Sequence, residues 1–161
     1  MPNIYRVASI NINGATSAVK HTLLQEFIRK QELDITFLQE VTQAEVAYIP
    51  RYNTQVNLGT DQRGTAIITK EEIDIRAIKR IPSGRGIAVD IGGIWYVNVY
   101  APSGAEKSRE REEFFNTDLL LLLPDTPTDI LLAGDFNCIV PLNETTGSTL
   151  YSKTLEGYLL D

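Results

Sequence analysis

The apolar run Asp129-Ile130-Leu131-Leu132-Ala133 breaks at Gly134-Asp135-Phe136-Asn137, and this junction constrains the fold more than any other part of the sequence. A short aliphatic stretch bounded by a turn signal reads as a buried strand. Asp135 and Asn137 stand two residues apart, so an extended backbone sends both side chains out of one face. A carboxylate and an amide are therefore expected side by side at the C-terminal end of a core strand, where sheet-based enzymes commonly keep their chemistry.

Three other strands end in a similarly polar way. Residues 4–12 alternate, with Ala8, Ile10 and Ile12 on one face and Val7, Ser9 and Asn11 on the other, and stop at Asn13-Gly14. Thr16 or Ser17 can cap a helix in which Val19, Leu23, Leu24, Phe27 and Ile28 recur at helical spacing. Residues 34–40 form a second core strand ending at Glu40, and this strand-helix-strand unit is expected to be parallel. Antiparallel strands are expected over 54–58, 64–69, 73–79, 86–91 and 94–100, with Gly92-Gly93 as a two-residue hairpin turn. The last of these ends at Tyr100. A charged helix should then run from near Ala105 through Phe114 and Phe115 to the leucines at 119–123, where Pro124 stops it. In the tail, Leu155 and Leu159 are spaced as in the opening turns of an amphipathic helix.

With 161 residues, 43% apolar and 22% charged, the chain has the composition of a single globular domain spanning 1–161. It contains no apolar stretch long enough to span a bilayer, and its start lacks the basic and apolar regions of a secretory signal. An intracellular setting and no membrane partner are expected. The single Cys138 cannot form an intramolecular disulfide and reads as a small filler at a strand end. A net charge of −6 does not advertise nucleic-acid binding, yet a carboxylate-built cation site leaves the same acidic balance behind. The stretch Arg80-Ile81-Pro82-Ser83-Gly84-Arg85 is a local basic cluster able to touch a phosphate backbone.

Asn11, Glu40, Tyr100, Asp135 and Asn137 thus all stand at strand ends, and neighbouring strands about 5 Å apart can bring such groups to one ion. Carboxylate oxygens suit Mg²⁺ or Mn²⁺, with Glu40 as the anchor and Asp135 as the second carboxylate. A cation held there would polarise a phosphodiester, while Asn11 and Asn137 orient phosphate or water and the Tyr100 hydroxyl reaches a phosphate oxygen. Turn chemistry competes as an explanation, since Asn before Gly14 and Asp135-Phe136-Asn137 both suit Asx-type turns.

The motifs Ser9-Ile10-Asn11-Ile12-Asn13-Gly14, Phe37-Leu38-Gln39-Glu40, Asn98-Val99-Tyr100-Ala101-Pro102 and Gly134-Asp135-Phe136-Asn137 resemble, in this order, those of the endonuclease/exonuclease/phosphatase superfamily. Their spelling, with Val19-Lys20-His21 at the first helix, is most similar to the apurinic-like endonuclease domain of non-LTR (LINE-type) retrotransposon polyproteins. The resemblance implies an α/β (α+β) fold, a two-sheet αββα sandwich of the DNase I-like type, and a Mg²⁺-dependent phosphodiesterase that nicks target DNA for reverse transcription. It implies Glu40, Asn11 and Asp135 at the metal and Tyr100 beside the scissile phosphate. Asp135 and Asn137 would activate water and steady the transition state. A nuclear location follows if the retrotransposon kinship holds.

The sequence departs from that pattern in lacking a Ser-Asp-His motif. It therefore reads as the N-terminal two-thirds of such a domain, without its closing strands, weak or inactive alone and open to self-association through an uncovered sheet face. His21, early in the first helix, reads as a surface residue and not as a replacement. Two alternatives stand beside the nuclease: a phosphodiesterase of the same fold acting on phosphoinositide, sphingomyelin or nucleotide, and a catalytically dead binding module.

Overall fold

A computed structural model describes residues 4–14, 18–42 and 49–137 of the chain. Eight strands form two four-stranded sheets. The first sheet takes β1 (Val7–Asn11), β2 (Ile35–Val41), β3 (Tyr52–Leu58) and β4 (Gly64–Lys70) in the order β1-β2-β4-β3. The second takes β5 (Ala77–Arg80), β6 (Gly86–Ile91), β7 (Ile94–Tyr100) and β8 (Ile130–Asp135) in sequence order. Each sheet is thus built from one continuous half of the chain. The β1–β2 and β7–β8 pairs are parallel, and the remaining pairs are antiparallel.

Strand alternation sorts the apolar residues into three packed layers. Ile35, Phe37, Ile67, Ile87, Val89, Ile91 and Tyr96 fill the space between the sheets. Leu38, Ala66 and Ile68 face the other way, toward Leu24 and Ile28 of α1 (Ala18–Lys30). On the far side of the second sheet, Ala88, Val97 and Val99 meet Phe114 and Leu122 of the segment after β7. The result is an α+β sandwich of the DNase I-like type, helix-sheet-sheet-helix.

Several expectations shift in detail. The predicted helix over 105–123 is a composite: a 3₁₀ turn (Ala105–Lys107), α2 (Ser108–Glu113), a π-helical turn (Phe114–Asp118) and a closing 3₁₀ turn (Leu119–Leu122). The changing turn width lets Phe114 and Leu122 both reach the sheet while Leu120 and Leu121 stay exposed. The strand predicted over 73–79 pairs only at Ala77–Arg80, because Ile73 closes a turn onto the Lys70 carbonyl before pairing starts. In α1, Leu24 and Ile28 are buried, but Val19, Leu23 and Phe27 remain largely exposed. The Gly92-Gly93 hairpin forms as expected, with Ile91 opposite Ile94 and positive φ at both glycines (61° and 89°). Cys138, the 151–160 segment and the capping positions Thr16 and Ser17 lie outside the described residues.

Candidate active site

Each sheet delivers two of the five residues to the same end of the sandwich. In the first, the parallel register sets Asn11 opposite Gln39, the residue before Glu40. In the second, it sets Tyr100 opposite Asp135. Two hydrogen bonds then cross between the sheets. The Tyr100 hydroxyl donates to Glu40 Oε1 at 2.6 Å, and Asn11 Nδ2 donates to Asp135 Oδ2 at 3.0 Å. The site is therefore assembled across the sandwich, and not along neighbouring strands of one sheet as spacing alone suggested.

Glu40 reaches this position through a backbone irregularity. Plain alternation would put it with Leu38 on the α1 face. Instead the register slips between Gln39 and Val41, and Glu40 sits in the left-handed region at φ 55° as the extra residue of a bulge. Val41 returns to the α1 side, packed with Leu38. A non-glycine residue held in this left-handed conformation stores strain of about 1–3 kcal/mol, which the surrounding sheet must hold.

The turn chemistry and the site chemistry use opposite ends of the same side chains. Asn11 Oδ1 accepts the Asn13 backbone N–H at 2.9 Å while its Nδ2 reaches Asp135. Asp135 Oδ1 accepts the Asn137 backbone N–H at 3.1 Å while Oδ2 receives Asn11. Asn137 lies beyond the end of β8 at φ 46°, so the extended-strand argument for a shared face with Asp135 fails. An Asx-type turn replaces it, and Asn137 Nδ2 donates to the Ala101 carbonyl at 2.8 Å. Asn137 thus pins the chain after β7 beside the site.

Beneath the two carboxylates runs a polar seam that the sequence reading did not single out. Gln39 Nε2 donates to Ser9 Oγ at 3.1 Å and to Asn98 Oδ1 at 2.8 Å. Asn98 Nδ2 donates to the Leu38 and Ala66 carbonyls of the opposite sheet at 2.9 and 2.8 Å. Both amides are essentially inaccessible to solvent, so the bonds are made in a low-dielectric interior where leaving them unmade is costly. The signal was present: each is an amide at an inward position of an otherwise apolar strand, one or two residues before a site residue.

Burial pushes the Tyr100 hydroxyl up to about 12, with the bond to Glu40 and the Glu40 charge adding to the rise; the Arg85 guanidinium opposes it, and the Asp135 charge adds to it. Tyr100 is therefore a donor at neutral pH. Its bond engages Glu40 Oε1, which leaves Oε2 of that carboxylate for a cation. No cluster of three His, Cys, Asp or Glu exists among the described residues. Two carboxylates still fit a hard cation that retains several waters, as Mg²⁺ and Mn²⁺ do, while Asn11 turns its Nδ2, not its oxygen, toward Asp135. The sole histidine, His21, has its Nε2 3.4 Å from Gln25 Nε2 on α1 and takes no part in the cross-sheet bonds.

Residues 8–159 match the model of a family described as the Endonuclease/Exonuclease/phosphatase family. Among solved structures, D. rerio TDP2 complexed with single-strand DNA product is similar at 18% identity and TM-score 0.69, over 83% of this chain and 61% of that one. The 3′ phosphatase NExo from Neisseria, bound to a product DNA hairpin, is similar at 19% identity and TM-score 0.67, over 83% of this chain and 58% of its own. An AP endonuclease from Archaeoglobus fulgidus gives 17% identity and TM-score 0.63, over 83% and 58%. At such identities the likeness is one of fold, and this chain spans about three-fifths of the length of each of those proteins.

Proposed function

The chain belongs to the Endonuclease/Exonuclease/phosphatase family, and on that premise we propose that it is a divalent-metal-dependent phosphodiesterase acting on DNA, the nicking domain of a retrotransposon-type reverse transcriptase polyprotein. The family is one of metal-dependent hydrolases. One observation carries the reading: a carboxylate from each sheet is held at one end of the sandwich by a hydrogen bond from the other sheet. Support for DNA as the substrate comes from the TDP2 and NExo structures, both of which hold DNA product. Retrotransposon kinship rests on the motif spelling alone, and with it goes action in the nucleus, where chromosomal DNA lies.

On this reading Glu40 and Asp135 would hold Mg²⁺ or Mn²⁺, which when bound would polarise the phosphodiester and stabilise the leaving oxygen, and Asn11 would join them only by turning its amide oxygen away from the Asn13 N–H. Tyr100, kept protonated, moves its hydrogen bond from Glu40 toward a phosphate oxygen where negative charge grows. Asp135 accepts a proton from the attacking water, and the Asn11 amide and Asn137 backbone N–H hold that carboxylate in place. No imidazole belongs to this set among the described residues, so turnover is expected to fall about 10²- to 10⁴-fold below that of an enzyme with a positioned acid–base histidine.

A plasmid-nicking assay in Mg²⁺ tests the reading with the chain itself, Glu40→Ala and Asp135→Ala. Slow nicking by the unaltered chain and none by either variant is expected. Equal nicking by all three would remove both carboxylates from the chemistry.

A further inference from the structure

The backbone just after β1 is tied to both carboxylates of the site. The Ile12 and Gly14 N–H groups donate to the Gln39 and Glu40 carbonyls at 3.1 and 2.9 Å, and the Asn13 N–H donates to Asn11 Oδ1 at 2.9 Å. The first two bonds grip β2 at the bulge that turns Glu40, and the third orients the amide that holds Asp135. The carbonyls of the same three residues converge on one side chain. Lys20 Nζ donates to the Ile12, Asn13 and Gly14 carbonyls at 3.3, 3.4 and 3.1 Å. Asn13 and Gly14 are both left-handed, at φ 47° and 63°, and the tight curl gathers successive carbonyls around the ammonium.

We propose that Lys20 is a positioning residue of this site: its ammonium is a tethered monovalent cation in a cage of backbone carbonyls, and it keeps Glu40 and Asp135 set for a divalent metal. The proposal rests on the phosphodiesterase reading above. Three carbonyl dipoles aimed at one point repel one another, and a cation among them relieves the repulsion, as rings of backbone carbonyls do for K⁺. An ammonium carries three donors and no acceptor, so each donor finds one carbonyl. The position is otherwise a poor one for a lysine. Lys20 is the third residue of α1, whose first turn holds no acid, and a cation there opposes the helix dipole. A residue that breaks a local rule in this way has its reason elsewhere in the fold, and here the carbonyl cage supplies it. Lys20 also lines an apolar groove with Ile10, Ile12, Leu23, Leu24 and Phe27, against which its methylene stem can lie while the charge reaches the turn. Truncating the stem therefore leaves room for a short alkyl chain beside the cage.

The test is a Mn²⁺ titration followed by the electron paramagnetic resonance signal of the free ion, with the chain, Lys20→Ala, Lys20→Met and Glu40→Gln. Both Lys20 variants are expected to bind Mn²⁺ about 10- to 100-fold more weakly, the usual cost of losing a group that orients metal ligands. Added n-propylammonium, the fragment that Lys20→Ala removes, should restore much of the affinity of that variant. It should do nothing for Lys20→Met, whose own side chain fills the groove. Lys20→Met binding as tightly as the unaltered chain overturns the proposal, and so does a loss in Lys20→Ala that propylammonium leaves untouched. Glu40→Gln separates the two claims. If it abolishes Mn²⁺ binding while Lys20→Met leaves the affinity unchanged, the metal site stands and Lys20 has no part in setting it. If Glu40→Gln binds as well as the unaltered chain, or the unaltered chain binds no Mn²⁺, the parent reading fails and the proposal falls with it.

Discussion

At the scale of single residues, the hydroxyl of Tyr100 links protein stability to the site. Its proton is held to about 12 in the folded chain, against about 10 for an unperturbed tyrosine in the unfolded chain. Below pH 10 the hydroxyl is protonated in both states, and its bond to Glu40 contributes fully. Between pH 10 and about 12 the unfolded chain has released a proton that the folded chain keeps, so stability falls as pH rises through that window. Tyr100→Phe removes this contribution. Urea unfolding at about pH 9 and about pH 11.5 is expected to show a larger loss for the unaltered chain than for Tyr100→Phe; parallel losses would mean that the hydroxyl is not held by the site. The tyrosine is partly exposed, so solvent screening keeps the effect modest.

Among the elements, β8 depends on one close approach. Gly134 has φ +138°, and a Cβ on it would lie 2.0 Å from the Val99 carbonyl oxygen on β7. Gly134→Ala must therefore push β8 away from β7 where Tyr100 faces Asp135. A loss of about 2 kcal/mol or more is expected from chemical denaturation, with nicking reduced beyond what the stability loss explains. A variant as stable as the original would show that the strands separate without strain.

Element placement was legible because periodicity reports burial: β4, β6 and β7 read almost residue by residue from their apolar runs. The boundaries of β3 and β5 shift because these edge strands mix polar and apolar residues, so alternation loses its contrast. The broken helix after β7 was invisible because its leucines repeat too densely to show a period. At the site, the residue types at the strand ends were readable, but their directions were not. Glu40 faces the other sheet only because a bulge breaks alternation, and Asn137 turns back through a left-handed φ. Neither follows from local spacing. Gln39 and Asn98 stood inside the motifs without a role of their own, because their inward position marks a buried amide but not the partner it meets on the other sheet.

For the molecule as a whole, the division of labour follows the chain. Residues 7–70 make the first sheet with Asn11 and Glu40, residues 77–135 make the second with Tyr100 and Asp135, and only residues 71–76 join them. The halves are held by the Ile35, Phe37, Ile67, Ile87 and Val89 layer and by the Gln39–Asn98 seam. Cutting the joining segment should therefore leave a nicked but associated pair, whereas each polypeptide made separately should be inert. Mixing the two and watching plasmid relaxation return would confirm it, and activity from either piece alone would refute it. Fused to two proteins that meet, such pieces would, on the proposed function, turn an encounter into a break in a DNA strand.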